Sequence, residues 1–138
     1  MKTPSILLVD DFEDGLEMYA EYLTYRGFHV VIARNGEGAV SQARRHRPDI
    51  ILLDLRMPGM TGTEAMRILR ADPSFASTPI VALTAHALDE ERHLALNAGF
   101  DAVIAKPCLP DVLVSAVERI LSDSGESAGD EAARHGNA

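Results

Sequence analysis

Short apolar runs alternate along the chain with segments whose apolar residues recur at helical spacing. The runs are SILLV, FHVVIA, DIILLD, PIVALT and DAVIA, at residues 5–9, 28–33, 49–54, 79–84 and 101–105. They are rich in Val, Ile and Leu and show little polar alternation, which is typical of strands covered on both faces. Five strands that alternate with helices predict an α/β fold with a parallel sheet between two layers of helices.

Five helices are predicted, at residues 13–26, 36–47, about 62–71, 87–98 and from about residue 110 onward. The first places an apolar stripe along one side, formed by Gly15, Met18, Tyr19, Tyr22 and Leu23. Phe12 and Leu16 fall outside this stripe, so both are expected at the surface.

The length of the chain is sufficient for one compact domain. It has 138 residues, and its apolar periodicity ends at Leu121. We therefore expect a single domain over residues 1–121. Residues 122–138 are mostly small and polar with several acids, and they are expected to form a flexible acidic tail.

Charge and cysteine content exclude several classes of protein. The formal net charge is −8 at pH 7, so neither nucleic acids nor anionic membranes are expected as direct partners. No apolar stretch of the sequence approaches the length of a membrane-spanning helix. The single cysteine, Cys108, excludes an internal disulfide and is compatible with a reducing cytoplasm.

Charged and polar side chains occur where the predicted strands end. The first run leads into Asp10 and Asp11, the third and fourth end in Asp54 and Thr84, and the fifth leads into Lys106. Because the carboxyl ends of parallel strands meet at one edge of the sheet, these five side chains are expected to converge. Three neighbouring carboxylates raise one another's pKa unless a cation lies between them, and Mg²⁺ suits such an oxygen-rich site.

This set of residues favours phosphoryl chemistry. Asp54 closes an apolar run and is the candidate nucleophile for an acyl phosphate. Lys106 would contact one phosphoryl oxygen, and Thr84 would donate a hydrogen bond to another. Taken singly, Asp10 has the ordinary role of a helix N-cap, Asp54 that of a turn cap and Lys106 that of a solvated strand end. The joint arrangement of the five side chains favours the phosphoryl site.

Four motifs make the chain resemble the receiver domain of two-component response regulators. They are LLVDD, IILLDLRMPGMTG, IVALTA and AGFDAVIAKP, which occur in this order over roughly residues 4–121. The resemblance implies a flavodoxin-like, doubly wound (βα)5 fold with strand order 2-1-3-4-5. It also implies a stand-alone regulator that signals, or relays phosphate, through contact with other proteins.

The resemblance further implies a phosphoacceptor and a metal site. Asp54 would take a phosphoryl group from a phosphohistidine in a Mg²⁺-dependent reaction. Asp11, Asp54 and the backbone carbonyl of Arg56 would ligate the Mg²⁺, and Asp10 would act through a bound water. The domain would catalyse only its own phosphotransfer and dephosphorylation, so it is not expected to be an enzyme in the usual sense.

Other positions acquire roles in the same way. Thr84 would be the switch hydroxyl, Ala85 would contribute its backbone N–H, and Lys106 would bridge the phosphoryl group and the acids ahead of a cis peptide. Arg56 and His86 would flank the approach of hydrolytic water and so tune the lifetime of the phosphoryl group.

Val103 departs from the pattern of the family, which usually has Tyr or Phe three residues before the lysine. A β-branched side chain is stiff about χ1 and cannot act as an aromatic ring that rotates inward. A histidine kinase or histidine phosphotransfer protein is expected at the start of the first helix, with Phe12 and Leu16 as candidate contacts. A downstream protein is expected on the face formed by the fourth helix, the fifth strand and the fifth helix.

Two other functions compete with this interpretation. A Mg²⁺-dependent phosphohydrolase of the haloacid dehalogenase type also uses an aspartyl nucleophile, but its second Asp stands two residues later, where this chain has Arg56. A receiver-like docking module that is never phosphorylated is the other alternative. Such a module has no need of three clustered acids and a lysine, whose charges are costly to bury.

Overall fold

The computed structural model describes residues 3–85 and 88–134 of the protein. Five strands occupy Ser5–Val9 (β1), His29–Ala33 (β2), Ile50–Asp54 (β3), Ile80–Thr84 (β4) and Ala102–Ala105 (β5). Five helices occupy Glu13–Tyr25 (α1), Gly36–His46 (α2), Gly62–Arg70 (α3), Asp89–Ala98 (α4) and Pro110–Arg134 (α5). Each predicted strand and helix is therefore present, while His86 and Ala87 lie outside the described residues.

The strands form one parallel sheet in the order β2-β1-β3-β4-β5. This arrangement confirms the predicted flavodoxin-like α/β fold. The chain reverses its direction of winding between β1 and β3, and such a switch point leaves a crevice beyond the carboxyl ends of those strands. Asp10 and Asp11 follow β1, and Asp54 ends β3.

Two apolar cores lie on opposite faces of the sheet. Successive residues of a strand point to opposite faces, so Leu7 contributes to one core and Leu8 to the other. Helices α2, α3 and α4 cover the face of Leu7, whereas α1 and α5 cover the face of Leu8. Because both faces are covered, the strands contain almost no polar residues before their carboxyl ends.

The apolar stripe of α1 differs from the prediction. Leu16 is fully buried in the core with Tyr19 and Leu23, whereas Met18 is 44% exposed. The buried positions follow the spacing i, i+3, i+7, which places them on one side of the helix. The assignment of Leu16 as a surface contact for a partner was therefore wrong, while Phe12 is 63% exposed as expected.

Helix α4 contributes little to the apolar cores. Ala95 is its one buried residue, and Leu94 and Leu96 are exposed. Polar contacts attach the helix as well. The guanidinium of Arg92 donates a hydrogen bond of 3.1 Å to the backbone carbonyl of Val103 in β5.

Helix α5 extends beyond the end of the apolar periodicity at Leu121. Its backbone remains helical to Arg134, whereas the sequence indicated a flexible tail from residue 122. Residues 135–138 lie outside the described part of the chain. The division into a domain over residues 1–121 and a tail over 122–138 stays a prediction. None of the described helices has the length and apolar character that crossing a membrane requires.

The amino ends of β4 and β5 are joined by a network that the sequence did not indicate. The guanidinium of Arg70 donates hydrogen bonds to the carbonyls of Phe75 and Thr78, at 2.9 and 2.8 Å, and pairs with Asp101. Asp101 also accepts a hydrogen bond of 2.8 Å from the backbone N–H of Ile80. Arg70 thereby fixes the connection that leads from α3 into β4.

Candidate functional site

The ends of β1 and β3 place two carboxylates below the surface of the crevice. Asp10 follows β1 and is 1% exposed, and Asp54 ends β3 and is 5% exposed. The Oδ1 of Asp10 accepts a hydrogen bond of 3.0 Å from the backbone N–H of Phe12. The Oδ1 of Asp54 accepts one of 3.2 Å from the N–H of Arg56. These backbone donors fix the orientation of both carboxylates.

Lys106 connects these two acids. Its Nζ lies 2.8 Å from Oδ2 of Asp10 and 3.3 Å from Oδ2 of Asp54. The lysine follows β5, two strands away from β3, so the contact exists only because the sheet aligns the strand ends. The ammonium supplies one positive charge where two buried carboxylates face each other.

Asp11 completes a cluster of three acids. One carboxylate oxygen from each of Asp10, Asp11 and Asp54 lies within 4.8 Å of the others. Asp11 is exposed, so the cluster opens towards solvent on its side. Hard cations such as Mg²⁺ prefer oxygen ligands and keep several waters, and a cluster with two buried carboxylates and one exposed one fits this requirement.

Burial dominates the electrostatics of Asp54. It raises the pKa of this carboxyl to about 6, although the charge of Lys106 and the hydrogen bond from the N–H of Arg56 act in the opposite direction. Burial alone would lower the pKa of Lys106, but the hydrogen bond that its ammonium donates to Asp10 and the charges of both acids raise it. The lysine therefore remains a cation, and part of the negative charge of the cluster is left without a partner.

Thr84, Ala85 and Pro107 lie around this centre. Thr84 ends β4 beside Asp54 and is buried, and its backbone carbonyl accepts a hydrogen bond of 2.8 Å from the N–H of Lys106. Ala85 lines a cleft of about 260 Å³ together with Asp10 and Lys106. The peptide bond between Lys106 and Pro107 is cis, as expected.

The comparison with protein families agrees with this arrangement. A family model described as the response regulator receiver domain matches residues 6–118. The chain belongs to this family. The receiver domain is a component of two-component signalling, which is the coarse function that the sequence indicated.

Individual relatives support the assignment. The receiver domain is similar to the polar-differentiation response regulator DivK of Brucella anthropi, with 29% identity over 120 residues that cover 87% of this chain and 98% of DivK. Its structure resembles that of the chemotaxis response regulator CheY4 of Vibrio cholerae, with a TM-score of 0.82, 29% identity and coverage of 86% and 99% of the two chains.

A third relative bears on the acid cluster. The receiver domain of the sensor histidine kinase PA1611 from Pseudomonas aeruginosa PAO1 gives a TM-score of 0.80 and 35% identity, with 88% of this chain and 99% of that chain covered. That structure is described with a magnesium ion coordinated in the active site cleft. Receiver domains thus bind Mg²⁺ in the active site, and the described residues of this chain include a cluster of three acids.

Gly62 is a site residue that the sequence analysis did not single out. It opens α3, and a Cβ at this position would lie 2.1 Å from the backbone carbonyl oxygen of Asp54. The helix starts here because Thr61 and Glu64 form a capping box, with hydrogen bonds of 3.1 and 2.9 Å between side chains and backbone N–H groups. The sequence signal for this role was the glycine at the end of the motif MPGMTG, which is Gly62 itself.

The raised pKa of Asp54 predicts how stability depends on pH in the absence of divalent cations. The folded protein holds the proton of Asp54 more tightly than the unfolded chain does, because the pKa of this carboxyl is 3.8 in the unfolded chain. This contribution to the free energy of unfolding is complete below pH 3.8 and is lost as the pH rises through about 6. Asp54→Asn lacks it, so its stability relative to wild type should grow with pH. Thermal unfolding in a chelator, at about pH 5 and about pH 7.5, measures the difference. An equal difference at both values contradicts the prediction.

Proposed function

We propose that this receiver domain accepts a phosphoryl group on Asp54 and transmits the signal, or the phosphoryl group, by contact with other proteins. One observation carries the proposal. Asp54 is buried at a strand end, next to both a lysine ammonium and two further carboxylates. A purely structural strand end gains nothing from this arrangement, because the charges cost free energy to bury.

The residues divide the reaction between them. The Asp54 carboxylate attacks the phosphorus of a phosphohistidine as the phosphorus–nitrogen bond breaks, and the electron pair of that bond returns to the imidazole. The N–H of Arg56 holds Oδ1 of Asp54 in place during the attack. Lys106 lies near Oδ2 of Asp54 and would form an ion pair with an oxygen of the incoming phosphoryl group.

The acid cluster would hold the metal ion. Asp11, Asp54 and the backbone carbonyl of Arg56 would ligate Mg²⁺, and Asp10 would act through a water because Lys106 already occupies its Oδ2. Bound Mg²⁺ supplies positive charge to the oxygens of the transferring phosphoryl group. Thr84 ends β4, which lies on the other side of β3 from β1, and Ala85 follows it. The Thr84 hydroxyl and the Ala85 N–H would donate hydrogen bonds to the remaining oxygens of the phosphoryl group.

The donor protein would dock beside the cleft at the start of α1. Phe12 lines that cleft together with Asp10 and Lys106 and is mostly exposed, so it offers an apolar contact beside the site. A histidine kinase or a histidine phosphotransfer protein has the required chemistry. The downstream partner would bind α4, β5 and α5, where Leu94 and Leu96 of α4 are exposed and Val103 of β5 is buried in the core that contains Ala95 of α4.

Mass spectrometry of the intact protein tests the proposal. Incubation with Mg²⁺ and acetyl phosphate should add one phosphoryl group to the wild type and none to Asp54→Ala, and the adduct should be labile to base. Asp49→Ala is the matched control, because Asp49 is an exposed aspartate at the other end of the same strand. The absence of an adduct with any donor would favour the docking module, and multiple turnover of phosphoesters would favour a phosphohydrolase.

A further inference from the structure

The hydroxyl of Tyr19 joins α1 to the loop that follows β5. It donates a hydrogen bond of 2.9 Å to the backbone carbonyl of Cys108 and accepts one of 3.2 Å from the backbone N–H of the same residue. One side chain thus pairs with both polar backbone groups of a residue that stands 89 positions away in the sequence. Cys108 lies two residues after Lys106.

Backbone hydrogen bonds hold the chain both at Lys106 and at Cys108. The backbone N–H of Lys106 donates to the carbonyl of Thr84 at 2.8 Å, immediately after β5 ends at Ala105. Cys108 is held by Tyr19 on the other side of Pro107. The segment from Lys106 to Cys108 is therefore attached at its start to β4 and at its end to α1.

Tyr19 is well suited to hold a loop in place. Its ring is 5% exposed and packs in the core with Leu16 and Leu23, so the position of the hydroxyl is set by buried neighbours. Burial also raises the pKa of Tyr19, which keeps the hydroxyl protonated and able to donate. A tyrosine has only two side-chain torsions to restrain, in contrast to the four of lysine.

The position of this loop determines what Lys106 can reach. Its ammonium contacts Asp10 at 2.8 Å and Asp54 at 3.3 Å simultaneously. Hydrogen bonds weaken steeply beyond such distances, so a backbone shift of about 1 Å would break one of the two contacts. A flexible side chain meets two fixed acceptors at once only if its backbone is fixed too.

We propose that Tyr19 is a positioning residue for Lys106, whose hydroxyl fixes the β5–α5 loop so that the ammonium contacts Asp10 and Asp54 together. The consequence for phosphotransfer rests on the function proposed above. A hydroxyl that served only to satisfy its own hydrogen-bonding capacity would affect stability and leave the lysine unchanged.

Tyr19→Phe removes the hydroxyl and keeps the ring in the core. Tyr22→Phe is the matched control, because Tyr22 lies one turn later in α1 and its hydroxyl also bonds towards α5, to the side chain of Asp111. Asp111 is five positions beyond Lys106, and its side chain pairs with Tyr22 and Arg26 of the α1 region, which lie outside the segment from Lys106 to Cys108. Both variants lose one hydroxyl from the same helix.

The chain supplies two native probes. Lys2 and Lys106 are its only lysines, so selective ¹⁵N labelling at Nζ gives two ammonium signals, which Lys2→Arg assigns. Cys108 is the only cysteine, so its rate of alkylation by iodoacetamide reports directly on the loop. The initial rate of phosphorylation by acetyl phosphate with Mg²⁺ is the third measurement.

For Tyr19→Phe we expect a shifted, more rapidly exchanging Lys106 ammonium signal, alkylation of Cys108 several times faster, and phosphorylation slower by about tenfold. Tyr22→Phe should match the wild type in all three. An unchanged Lys106 signal in Tyr19→Phe overturns the inference, and a shifted signal with an unchanged phosphorylation rate overturns its consequence for phosphotransfer. If the wild type itself accepts no phosphoryl group, the proposed function fails, while the ammonium signal still decides whether Tyr19 positions Lys106.

Discussion

Lys106→Met is expected to lower the free energy of unfolding by about 3 kcal/mol when no divalent cation is present, because it leaves two buried carboxylates without their ammonium partner. Asp10 and Asp54 are both nearly inaccessible to water, so solvent cannot replace the lost charge. Lys106 lowers the pKa of Asp54, so in the variant this carboxyl should bind a proton more readily, which relieves part of the repulsion and limits the effect. Urea unfolding in a chelator measures the loss.

The exposed ion pair between Arg34 and Glu13 provides the control. Its shortest distance is 2.7 Å, comparable with that between Lys106 and Asp10, but its side chains are 53% and 48% exposed. Arg34→Met should therefore cost much less than Lys106→Met, because exposed ion pairs contribute little to stability. Addition of Mg²⁺ should restore much of the stability of Lys106→Met and little of that of Arg34→Met. Equal losses in the two variants would refute the assignment of Lys106 as the counter-charge of the site.

Gly62→Ala is expected to destabilise the protein by about 3 kcal/mol or more, because the added methyl group meets main-chain atoms. Its Cβ would lie 2.1 Å from the carbonyl oxygen of Asp54 and 2.9 Å from the Cα of Leu55. A change of side-chain rotamer cannot relieve such contacts, so α3 and the end of β3 must separate. We expect Asp54 to move with the strand, and phosphorylation should slow even at temperatures where the variant is folded.

Gly15→Ala separates this effect from the general consequences of replacing glycine in a helix. The added Cβ would lie 3.1 Å from the ring of Phe12, an exposed side chain that can rotate away. Alanine is favoured over glycine in a helix by up to about 1 kcal/mol, so this variant should equal or exceed the wild type in stability. Denaturant unfolding of both variants measures the contrast. A Gly62→Ala protein as stable as Gly15→Ala would show that α3 can shift at little cost.

The fold and the convergence of the site could be predicted because both depend on local pattern and on topology. Each strand contains an apolar run of four residues, and the polar residue that follows this run marks the carboxyl end of the strand. A parallel sheet then brings Asp10, Asp54 and Lys106 to one edge, although up to 96 positions separate them in the sequence. The amino acid types at the strand ends were sufficient for that inference.

The side of α1 that faces the core could not be predicted with the same accuracy. Apolar residues occur at 15, 16, 18, 19, 20, 22 and 23, so two stripes that differ by one position are both nearly apolar. One position corresponds to a rotation of about 100° around the helix axis. Packing against α5 and the sheet selects the stripe of Leu16, Tyr19 and Leu23, and no local feature of the sequence reports on that choice.

Hydrogen bonds between side chains and distant backbone groups could not be predicted from the sequence either. The bonds of Tyr19 with Cys108 and of Arg70 with the carbonyls of Phe75 and Thr78 depend on the separation of elements after packing. Any buried tyrosine or arginine needs hydrogen-bond partners, but the residue type alone does not indicate which residues supply them. The steric role of Gly62 is similar, since it depends on how closely α3 approaches β3.

The weak apolar attachment of α4 has a consequence for its dynamics. The other four helices each bury at least three residues against the sheet, whereas α4 buries Ala95 alone among the described residues. Local opening exposes little apolar surface there, so its free energy is expected to be the smallest among the five helices. Amide hydrogens of α4 should exchange with solvent before the sheet opens. Displacement of α4 would therefore remove only Ala95 from the apolar core on its face of the sheet.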